Sequence, residues 1–306
     1  MRMSRIKNAE LAPAARGELP TSEDPVLARA SLLGRIARAL KEGTLELPSL
    51  PDIALEVRSV ATERDLGIAA LTSVIQQDPG LSAYLIKVSN SAHYQRANAA
   101  SSLPAALNRL GADAVRDLAS SYAIKTLFFL REPAIRERLR DVWSRSVYTA
   151  SLAHVMARHC GFNPDQALLA GLLQDIGALP ILSEIRQYPS LLADHSAVDA
   201  LLSQFTGKVS GLILNHWQFP HDQVVAGLSR EEWLRDKHER ADLADLILVA
   251  RYHTYLGGPT ARKLPALKNL PAFHRLPFGE LGPEQGLLFL REAREEVESL
   301  RNILLS

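Results

Sequence analysis

The stretch ALLAGLLQDIGALPIL, residues 167–182, is apolar except for one amide and one carboxylate. Leu168, Leu172, Asp175 and Leu179 follow one another at steps of three or four, which predicts one shared face of an α-helix. Burying an unpaired carboxylate costs much free energy, so Asp175 needs a metal, a cation, several hydrogen bonds or a water-filled cavity. The sequence must therefore supply a partner for this side chain.

The composition indicates a chain that can build substantial cores and has no excess of charge. Of its 306 residues, 47% are apolar, and 35 basic residues balance 34 acidic ones to a net charge of +1. This balance does not indicate a basic surface for binding nucleic acid or a membrane. No uninterrupted apolar run reaches the eighteen or so residues that span a bilayer. The N-terminus also lacks an apolar signal-peptide core, so we expect a cytoplasmic protein.

Helical periodicity dominates the whole chain and predicts an all-α fold. Residues 1–24 are polar and rich in Ala, Pro and Arg, which is typical of a disordered lead-in. The apolar patterns after it suggest two helical bundles, one before about residue 130 and one after it. We therefore predict an N-terminal helical subdomain at 25–130, a second helical subdomain at 131–258, and a tail with a closing helix at 259–306.

Local start and stop signals place several of the predicted helices. Asp78 followed by Pro79 is a strong N-cap and N1 signal, because the missing proline N–H is not needed there. Ser101 or Ser102 can cap the next helix, which Gly111 ends. Asp113 is expected to cap the helix after that. Further helical patterns are present at 197–216, 222–235, 240–256 and 283–305.

Specific catalytic motifs are missing from the sequence. Nine histidines occur, and none forms an HExxH pair or another strong metal-binding spacing. His221-Asp222 is a His-Asp pair, yet Asp222 is more simply a first-turn carboxylate favoured by the helix dipole. The single cysteine, Cys160, excludes an intrachain disulfide and a cysteine-based metal cluster. There is no GxSxG, Walker loop or GxGxxG.

Ordered segments in the first half of the chain read LPSLPDIALEV, VIQQDPGLSAYLIKVSNSAHY and SSLPAALNRLG. They are followed by VWSRSVYTASLAHVMAR, ALLAGLLQDIGALPIL, GLILNHWQFP and ADLADLILVARYHTYLGG. In this order the segments resemble the successive signatures of the HDOD domain, over roughly residues 45–258. The residues that match the family's early pattern are Asp78, Pro79, Leu81, Asn90, Ser91, Ser102, Leu103, Ala106, Leu110 and Gly111.

HDOD domains are similar to HD-type metal-dependent phosphohydrolases, which carry a His, a His-Asp pair and a later Asp around one or two metals. At the matching positions this chain has Arg145, then Gln174-Asp175, then Arg251. Where catalytic relatives often carry a His-His pair, it has Arg230-Glu231-Glu232. Only Asp175 remains of the enzyme pattern, so the resemblance implies a degenerate HD site with no catalytic residue, metal or cofactor.

Two partners for Asp175 follow from this substitution pattern. Arginine stays protonated and cannot ligate a metal, but it can neutralise a carboxylate. We therefore predict that Arg145 or Arg251 neutralises Asp175, with Gln174 completing the hydrogen bonds. Alternatively, Asp175 accepts backbone N–H bonds near the end of its helix.

The other signature residues have simpler structural interpretations. Asn90 and Ser91 can turn or cap the chain after a helix, and we regard Asp78, Pro79, Leu103 and Gly111 as structural too. Trp143 and Trp217 are expected to be core aromatics whose indole N–H groups find acceptors nearby. The charged closing run REAREEVESLRN is typical of a solvated helix face. Its apolar stripe alternatively packs on a partner chain, which leaves a homodimer open.

The resemblance implies a non-catalytic regulatory or scaffold module in bacterial signal transduction that acts through protein–protein interaction. Receiver, kinase or cyclic-di-GMP-related domains are the expected partners, without nucleic acid or membrane. One alternative is an HD-type phosphohydrolase or phosphodiesterase with an unorthodox metal site. Another is a sensor whose degenerate cavity binds a small anion or nucleotide through Arg145 and Arg251.

Overall fold

The computed structural model describes residues 31–305, apart from 33, 37, 40, 41, 46, 63–66, 92, 95–97, 130–132, 238, 257 and 278–292. Within these ranges the chain forms helices and no β-strand, which confirms the predicted all-α fold. The predicted lead-in at 1–24 lies outside the described residues. Buried Leu32 and Ile36 lie in a helical stretch before the helix Asp52–Thr62.

The helices follow one another with short connections. Those of the first half are α1 Asp52–Thr62, α2 Gly67–Ile75, α3 Pro79–Ser89, α4 Leu103–Leu110, α5 Ala112–Phe128 and α6 Arg136–Cys160. Those of the second half are α7 Pro164–Leu173, α8 Ala178–Ile185, α9 Pro189–Ala193, α10 His195–His216, α11 His221–Leu228, α12 Leu243–Thr254, α13 Pro271–Arg275 and α14 Arg294–Leu305. Two 3₁₀ turns, Pro259–Lys263 and Leu267–Asn269, lie between α12 and α13.

The predicted N-caps of α3 and α4 are confirmed. The Asp78 carboxylate accepts a hydrogen bond from the backbone N–H of Leu81 at 2.9 Å, with Pro79 in the first turn. Of the two candidate serines, Ser102 caps α4 by accepting from the N–H of Ala105 at 3.4 Å. These bonds satisfy N–H groups that a helix cannot pair by itself.

Gly111 ends α4, as predicted, and also begins α5. Its φ of 81° lies in the region that favours glycine. The expectation that Asp113 caps α5 is wrong, because Gly111 occupies the N-cap position and makes no side-chain bond. Asp113 lies in the first turn and binds Arg116 at 2.9 Å instead. A carboxylate there is still favoured by the helix dipole.

The longest helix, α6, packs closely against α7. A Cβ atom on Gly171 would lie 2.4 Å from the Cα of Ala150, so glycine is needed for this approach. Gly161 ends α6 in the left-handed conformation with φ of 73°. Asn163 then caps α7 by accepting backbone N–H bonds. This tight corner fixes α7 against the centre of the molecule.

Two groups of buried apolar residues form the core. The larger includes residues from Leu32 to Leu304 and therefore joins helices from both halves of the chain. The smaller surrounds α12 and α13. The subdomain limits predicted from sequence, 25–130, 131–258 and 259–306, remain predictions. Helix α12 lies between α6 and α11, which brings it close to the end of α7.

The closing helix α14 packs on α6 of the same chain. Its apolar residues Val297, Leu300 and Leu304 are buried there, while the first part of the predicted 283–305 helix lies outside the described residues. The apolar stripe is thus covered within one chain, and homodimerisation remains a prediction. One stretch, Pro164–Ile185, has the length and composition of a membrane-crossing helix, and 89% of its apolar window is buried inside the protein.

Candidate functional site

The helix predicted across residues 167–182 is divided at Asp175. Helix α7 ends at Leu173, a turn covers 174–177, and α8 begins at Ala178. The turn lies directly against α10, because a Cβ atom on Gly177 would lie 2.5 Å from the backbone N of Ser210. The Ser210 hydroxyl accepts from Gly177 N at 2.9 Å and donates to Gln174 O at 2.8 Å. Asp175 therefore lies in a turn and remains buried, with 2% of its surface exposed.

Two arginines hold the Asp175 carboxylate, one on each oxygen. Arg251 Nη1 lies 2.5 Å from Oδ2, and Arg230 Nε lies 2.6 Å from Oδ1. The Ser146 hydroxyl is 3.5 Å from Oδ2. The predicted pairing with Arg251 is confirmed, and the alternative of backbone N–H donors is wrong for this carboxylate. Charge-assisted bonds of this kind are the strong ones in proteins.

Glu231 and Tyr255 close the network around Arg251. Arg251 Nη2 lies 2.8 Å from Glu231 Oε1 and 2.8 Å from the Tyr255 hydroxyl, which itself donates to Glu231 Oε1 at 2.7 Å. The second Glu231 oxygen accepts from the Ser203 hydroxyl at 2.7 Å. Arg230 Nη2 also reaches Glu231 Oε1 at 3.1 Å. We call Asp175, Arg230, Glu231, Arg251 and Tyr255 the Asp175 cluster.

Arg145 lies next to this cluster without a direct bond to Asp175. Its guanidinium carbon is 5.1 Å from the centre of the Tyr255 ring, within cation–π distance. Its charge nevertheless lowers the pKa of the Asp175 carboxyl. Arg145 also lines a polar cavity of about 480 Å³ together with Arg138, Arg301 and acidic side chains. Arg145 thus lies near Asp175, but of the two predicted arginines Arg251 is the direct partner.

Gln174 does not complete the hydrogen bonds of Asp175, so that expectation is wrong. Its Nε2 donates to the backbone carbonyl of Gly171 at 3.2 Å. Its buried Oε1 has no hydrogen-bond partner among the described residues. The turn after Leu173 places the Gln174 amide beside α7, while the two arginines take the carboxylate oxygens of Asp175.

Charge compensation makes the cluster stable as an ionised network. Burial alone would raise the pKa of the Asp175 carboxyl, but the charges of Arg230, Arg251 and Arg145 together hold it well below its usual range. Burial likewise opposes ionisation of Glu231, and Arg251 and Arg230 lower its pKa to about 2. Both carboxylates are therefore ionised at neutral pH. Within the cluster the two arginines balance the two carboxylates.

The residues present do not suit a catalytic divalent metal. Such a site needs several oxygen or imidazole ligands and an open position for water or substrate. Here both oxygens of Asp175 are engaged by guanidinium groups, which cannot ligate a metal. Among the residues that the structure describes, no group of three or more His, Cys, Asp and Glu side chains is arranged to hold one.

The early signature residues lie away from Asp175 and have structural contacts. Asn90 ends α3, and its side chain exchanges two hydrogen bonds with the backbone of Ala100, at 2.7 and 2.9 Å. Arg109 Nη1 donates to Asn90 Oδ1 at 2.9 Å and to Ser89 O at 3.0 Å. The Ser91 N–H donates to Val88 O. These residues tie the 90–100 connection to α4, which begins at Leu103.

The family model described as HDOD domain matches residues 47–231. The chain belongs to the HDOD family. Among curated proteins none matches it. The matched range contains Asp175, Arg230 and Glu231, whereas Arg251 and Tyr255 lie beyond it. The HDOD assignment predicted from the sequence segments is thus confirmed.

Several solved structures are similar to this HDOD chain in fold. One is a protein from Shewanella amazonensis SB2B whose name proposes a metal-dependent phosphohydrolase, with a TM-score of 0.76 and 24% identity over 91% of this chain and 99% of that one. Another is an HDOD domain protein with unknown function from Geobacter sulfurreducens, with a TM-score of 0.66 and 24% identity over 91% and 98%. A third, from Marinobacter aquaeolei VT8, is named as a proposed signal transduction protein, with a TM-score of 0.58 and 21% identity over 92% and 69%.

Arg230, Glu231 and Tyr255 have no role among the predictions made from the sequence. The available signal was the replacement of a His-His pair by Arg230-Glu231-Glu232. A helix over 222–235, as predicted, would not indicate that Arg230 points inward. In the structure α11 ends at Leu228, and the turn after it directs Arg230 into the protein. Tyr255 lies just after α12, one helical turn beyond Arg251, and carried no separate signal.

Proposed function

We propose that this HDOD protein is a non-catalytic regulatory or scaffold module that acts in signal transduction through protein–protein interaction in the cytoplasm. The observation that carries the proposal is the pair of arginines on Asp175. At the position of a catalytic divalent cation, the chain has a permanent guanidinium pair and a closed hydrogen-bond network. This is the chemistry of a fixed structural contact.

Electrostatics argue further against a metal in the cluster. A divalent ion approaching Asp175 would meet Arg230 and Arg251 first, since each is within hydrogen-bond distance of the carboxylate. Two unit charges about 4 Å apart repel by about 4 kcal/mol at an effective dielectric constant of about 20, and a dication doubles that figure. Asp175 and Glu231 are both paired with these two arginines, so neither carboxylate has negative charge to spare for a dication.

The cluster joins three parts of the chain that are distant in sequence. Asp175 comes from the turn between α7 and α8, Arg230 and Glu231 from the segment after α11, and Arg251 from α12. Removing one partner from a buried ion pair is strongly destabilising, because the other charge remains buried. A module that offers a constant surface to partner proteins would use such a contact to fix its helices.

The signalling role in this proposal rests on the family and on one structural neighbour. The Marinobacter aquaeolei protein is named for signal transduction, and we extend that role to this chain. Receiver, kinase or cyclic-di-GMP-related domains remain the proposed partners. Nucleic acid and membrane are not among them, since the sequence has a net charge of only +1.

The two alternative functions have weaker support in the site. The phosphohydrolase suggested by the name of the Shewanella amazonensis protein needs ligands that this chain has replaced with Arg145 and Arg251. An anion sensor would need Arg251 to be available, but its guanidinium is 0% exposed and binds Asp175, Glu231 and Tyr255. Acidic residues also line the cavity beside Arg145.

The decisive experiment measures Mn²⁺ binding by calorimetry, together with hydrolysis of bis(p-nitrophenyl) phosphate by the full chain. We expect neither saturable binding at millimolar Mn²⁺ nor metal-dependent turnover. Stoichiometric Mn²⁺ binding with turnover would overturn the proposal if Asp175→Asn removed both. Asp245→Asn is the matched control. Asp245 lies on α12 and is another buried carboxylate that two arginines bind.

A second experiment tests partner binding directly. A protein captured from the native host would be purified and its affinity for the full chain measured with and without a metal chelator. We expect binding that is indifferent to the chelator. Loss of binding in chelator would instead indicate a metal-dependent function.

A further inference from the structure

The segment after α11, residues 229–237, is fixed to the interior at two points. Arg230 binds the Asp175 carboxylate near its start, and Arg235 binds Asp245 at 2.6 Å with a side chain that is 1% exposed. The backbone carbonyl of Arg235 also accepts a hydrogen bond from Arg275 Nη2 at 2.9 Å. Breaking a buried ion pair is strongly destabilising, so both points stay attached in the folded protein. The residues between the two arginines are therefore held in place.

Of the three tryptophans in the chain, Trp233 in this segment is the one that is partly open to solvent. Trp143 and Trp217 are buried, as the sequence predicts for core aromatics. The Trp217 indole donates to Pro48 O at 2.9 Å. The expectation that both indoles find acceptors is wrong for Trp143, whose Nε1 has no partner among the described residues. Trp233 thus differs from the two core tryptophans in where its surface lies.

Trp233 belongs to an apolar patch on the surface. Four apolar residues line an open depression of about 820 Å³, namely Trp233, Leu234, Leu264 and Pro265. We call them the Leu234 patch. Leu234 is 67% exposed, more than any other large apolar side chain in the described part of the chain. A single exposed leucine is ordinary, but adjoining apolar side chains at the surface often mark an interaction site.

The Leu234 patch is preformed, because its parts rest on the end of α12. The Trp233 ring packs edge-on against those of Tyr252 and Tyr255, with ring centroids 5.9 and 6.0 Å apart. The Tyr252 hydroxyl donates to Pro265 O at 3.0 Å and so fixes another part of the patch. Association is opposed by the cost of ordering side chains and loops. A patch that is already ordered avoids most of that cost.

Charges of both signs line the depression around the Leu234 patch. Glu232 pairs with Lys237 at 3.2 Å and Asp236 pairs with Arg275 at 2.7 Å, yet both carboxylates remain exposed and can accept a further cation. Lys263 lines the same depression and has no ion pair within the described residues. The surface therefore offers an unpaired cation and exposed carboxylates together. This combination is complementary in charge to itself.

We propose that the Leu234 patch binds the same patch of a second copy of this chain. Leu234 lies at the centre of the interface, and Lys263 of each copy faces Glu232 of the other. A two-fold interface uses one surface twice, so it needs a surface with both signs of charge, whereas a partner of one sign would meet like charges here. The closing helix α14 takes no part, because its apolar stripe is covered within one chain.

This inference goes beyond the proposed function. Self-association through the Leu234 patch requires neither the presence nor the absence of a metal at Asp175. A monomeric chain would leave the result of the Mn²⁺ experiment unchanged, and a chain that binds Mn²⁺ could still form the dimer. The two proposals therefore fail separately.

Sedimentation equilibrium of the full chain is the first test. We expect a monomer–dimer equilibrium with a dissociation constant of about 1–100 µM. Leu234→Asp places a charge at the centre of the interface and should weaken dimerisation about tenfold or more. Leu55→Asp is the matched control, because Leu55 is 50% exposed on α1 and does not line the depression. Both variants should keep the melting temperature of the wild type when measured at concentrations where the chain is monomeric.

Charge reversal tests the two-fold pairing. Lys263→Glu and Glu232→Lys each place like charges at both contacts of a homodimer, so each variant alone should dimerise about fivefold more weakly than the wild type. In an equimolar mixture, a heterodimer of the two variants has opposite charges at both contacts. We therefore expect the mixture to associate more strongly than either variant alone, and the difference to shrink at high salt.

Three outcomes would overturn the proposal. A wild-type chain that stays monomeric up to about 0.1 mM would leave the Leu234 patch to a different protein. The same dimerisation in Leu234→Asp and Leu55→Asp would place the interface elsewhere. A mixture of the two charge variants that associates no more strongly than either alone would exclude the two-fold arrangement.

Discussion

A partly buried carboxylate at the start of helix α7 and a buried one just after its end behave in opposite ways. Asp165 lies in the first turn, and the Tyr94 hydroxyl donates to its Oδ1. Burial is the largest cause that raises the pKa of Asp165, to about 6. Asp175 lies two residues beyond the last residue of α7, and its arginines hold its pKa well below the ordinary range despite burial. Burial acts in the same direction on both side chains, so the partners decide the outcome.

The helix dipole would predict the reverse order. It favours a carboxylate at the N-terminus, where Asp165 lies, and disfavours one near the C-terminus, where Asp175 lies. The dipole corresponds to about half a charge at each end, whereas three full charges surround Asp175. Formal charges within a few ångströms therefore outweigh the dipole. A neutral tyrosine partner does not compensate the cost of burying Asp165.

The largest expected effect is that of Asp175→Asn. This change leaves Arg230 and Arg251 with Glu231 as their shared carboxylate. We expect it to lower the free energy of unfolding by about 3–5 kcal/mol, the usual cost of breaking a buried ion pair. Urea unfolding followed by circular dichroism measures the change. A loss below about 1 kcal/mol would mean that the Asp175 cluster does not stabilise the fold.

Asp245→Asn is the control for this prediction. Asp245 is also buried and bound by two arginines, Arg235 at 2.6 Å and Arg275 at 2.8 Å. Without it, Arg235 keeps Asp242 and Arg275 keeps Asp236, so each cation retains its own carboxylate. We therefore expect a smaller loss, about 1–3 kcal/mol. An equal loss in both variants would show that two arginines sharing one carboxylate cost no more than two arginines that each keep their own.

Acid should remove the contribution of Glu231 to the free energy of unfolding. Its pKa falls from 4.5 to about 2 on folding, so its stabilisation is complete above about pH 5 and is lost as the pH falls toward 2. We expect Glu231→Gln to be less stable than the wild type by up to about 3 kcal/mol at about pH 7, and nearly equal to it at about pH 2. Unfolding free energies of both proteins across this range measure the difference.

The neighbouring residue provides the control for the acid experiment. Glu232 is exposed and pairs with Lys237 at 3.2 Å on the surface. Glu232→Gln should change the unfolding free energy by less than about 1 kcal/mol. The comparison uses differences between variants because buried His154, whose pKa is lowered to about 3, adds its own acid sensitivity. A pH-independent difference for Glu231→Gln would contradict the ionised network.

Asp165→Asn should raise the free energy of unfolding, whereas Asp175→Asn should lower it. The pKa of Asp165 is higher in the folded protein than its ordinary 3.8, so ionisation of this group destabilises the fold as the pH rises through about 6. Asparagine keeps an acceptor for Tyr94 and removes the charge. We expect a gain of about 1–2 kcal/mol at about pH 7 after allowance for partial exposure, shrinking toward zero near pH 4. Destabilisation at about pH 7 would show that the charged form is favoured.

Capping residues predicted the ends of individual helices well, but they did not predict that the apolar stretch 167–182 is divided into two helices. The N-cap Asp78 and the stop at Gly111 are encoded within a few residues and are confirmed, and Ser102 is the one of two candidate serines that caps α4. The turn that follows Leu173 is bound to α10 through Gly177 and Ser210. Helical periodicity does not contain that information, because the contact joins residues that are distant in sequence.

The candidate site shows the same limit. The family resemblance located Asp175, Arg145 and Arg251, and charge chemistry predicted that one of the two arginines pairs with Asp175, which Arg251 does. Arg230 was read as part of a helix, whereas its segment leaves the helix at Leu228 and turns inward. The Glu231–Tyr255 bond joins two segments separated by α12. These partners are determined by how the helices pack, which residue spacing alone does not give.

The smallest expected effect is that of Gln174→Leu, which tests where the Asp175 cluster ends. Gln174 lies beside Asp175 in sequence, yet its amide donates to Gly171 O at 3.2 Å and its Oε1 has no partner among the described residues. Leucine has a similar size and removes an acceptor that is already unsatisfied, so the lost hydrogen bond is offset. We expect the unfolding free energy to change by less than about 1 kcal/mol. A loss as large as that of Asp175→Asn would mean that Gln174 belongs to the ionised network in solution, and that the carboxylate is held by three residues rather than by two arginines alone.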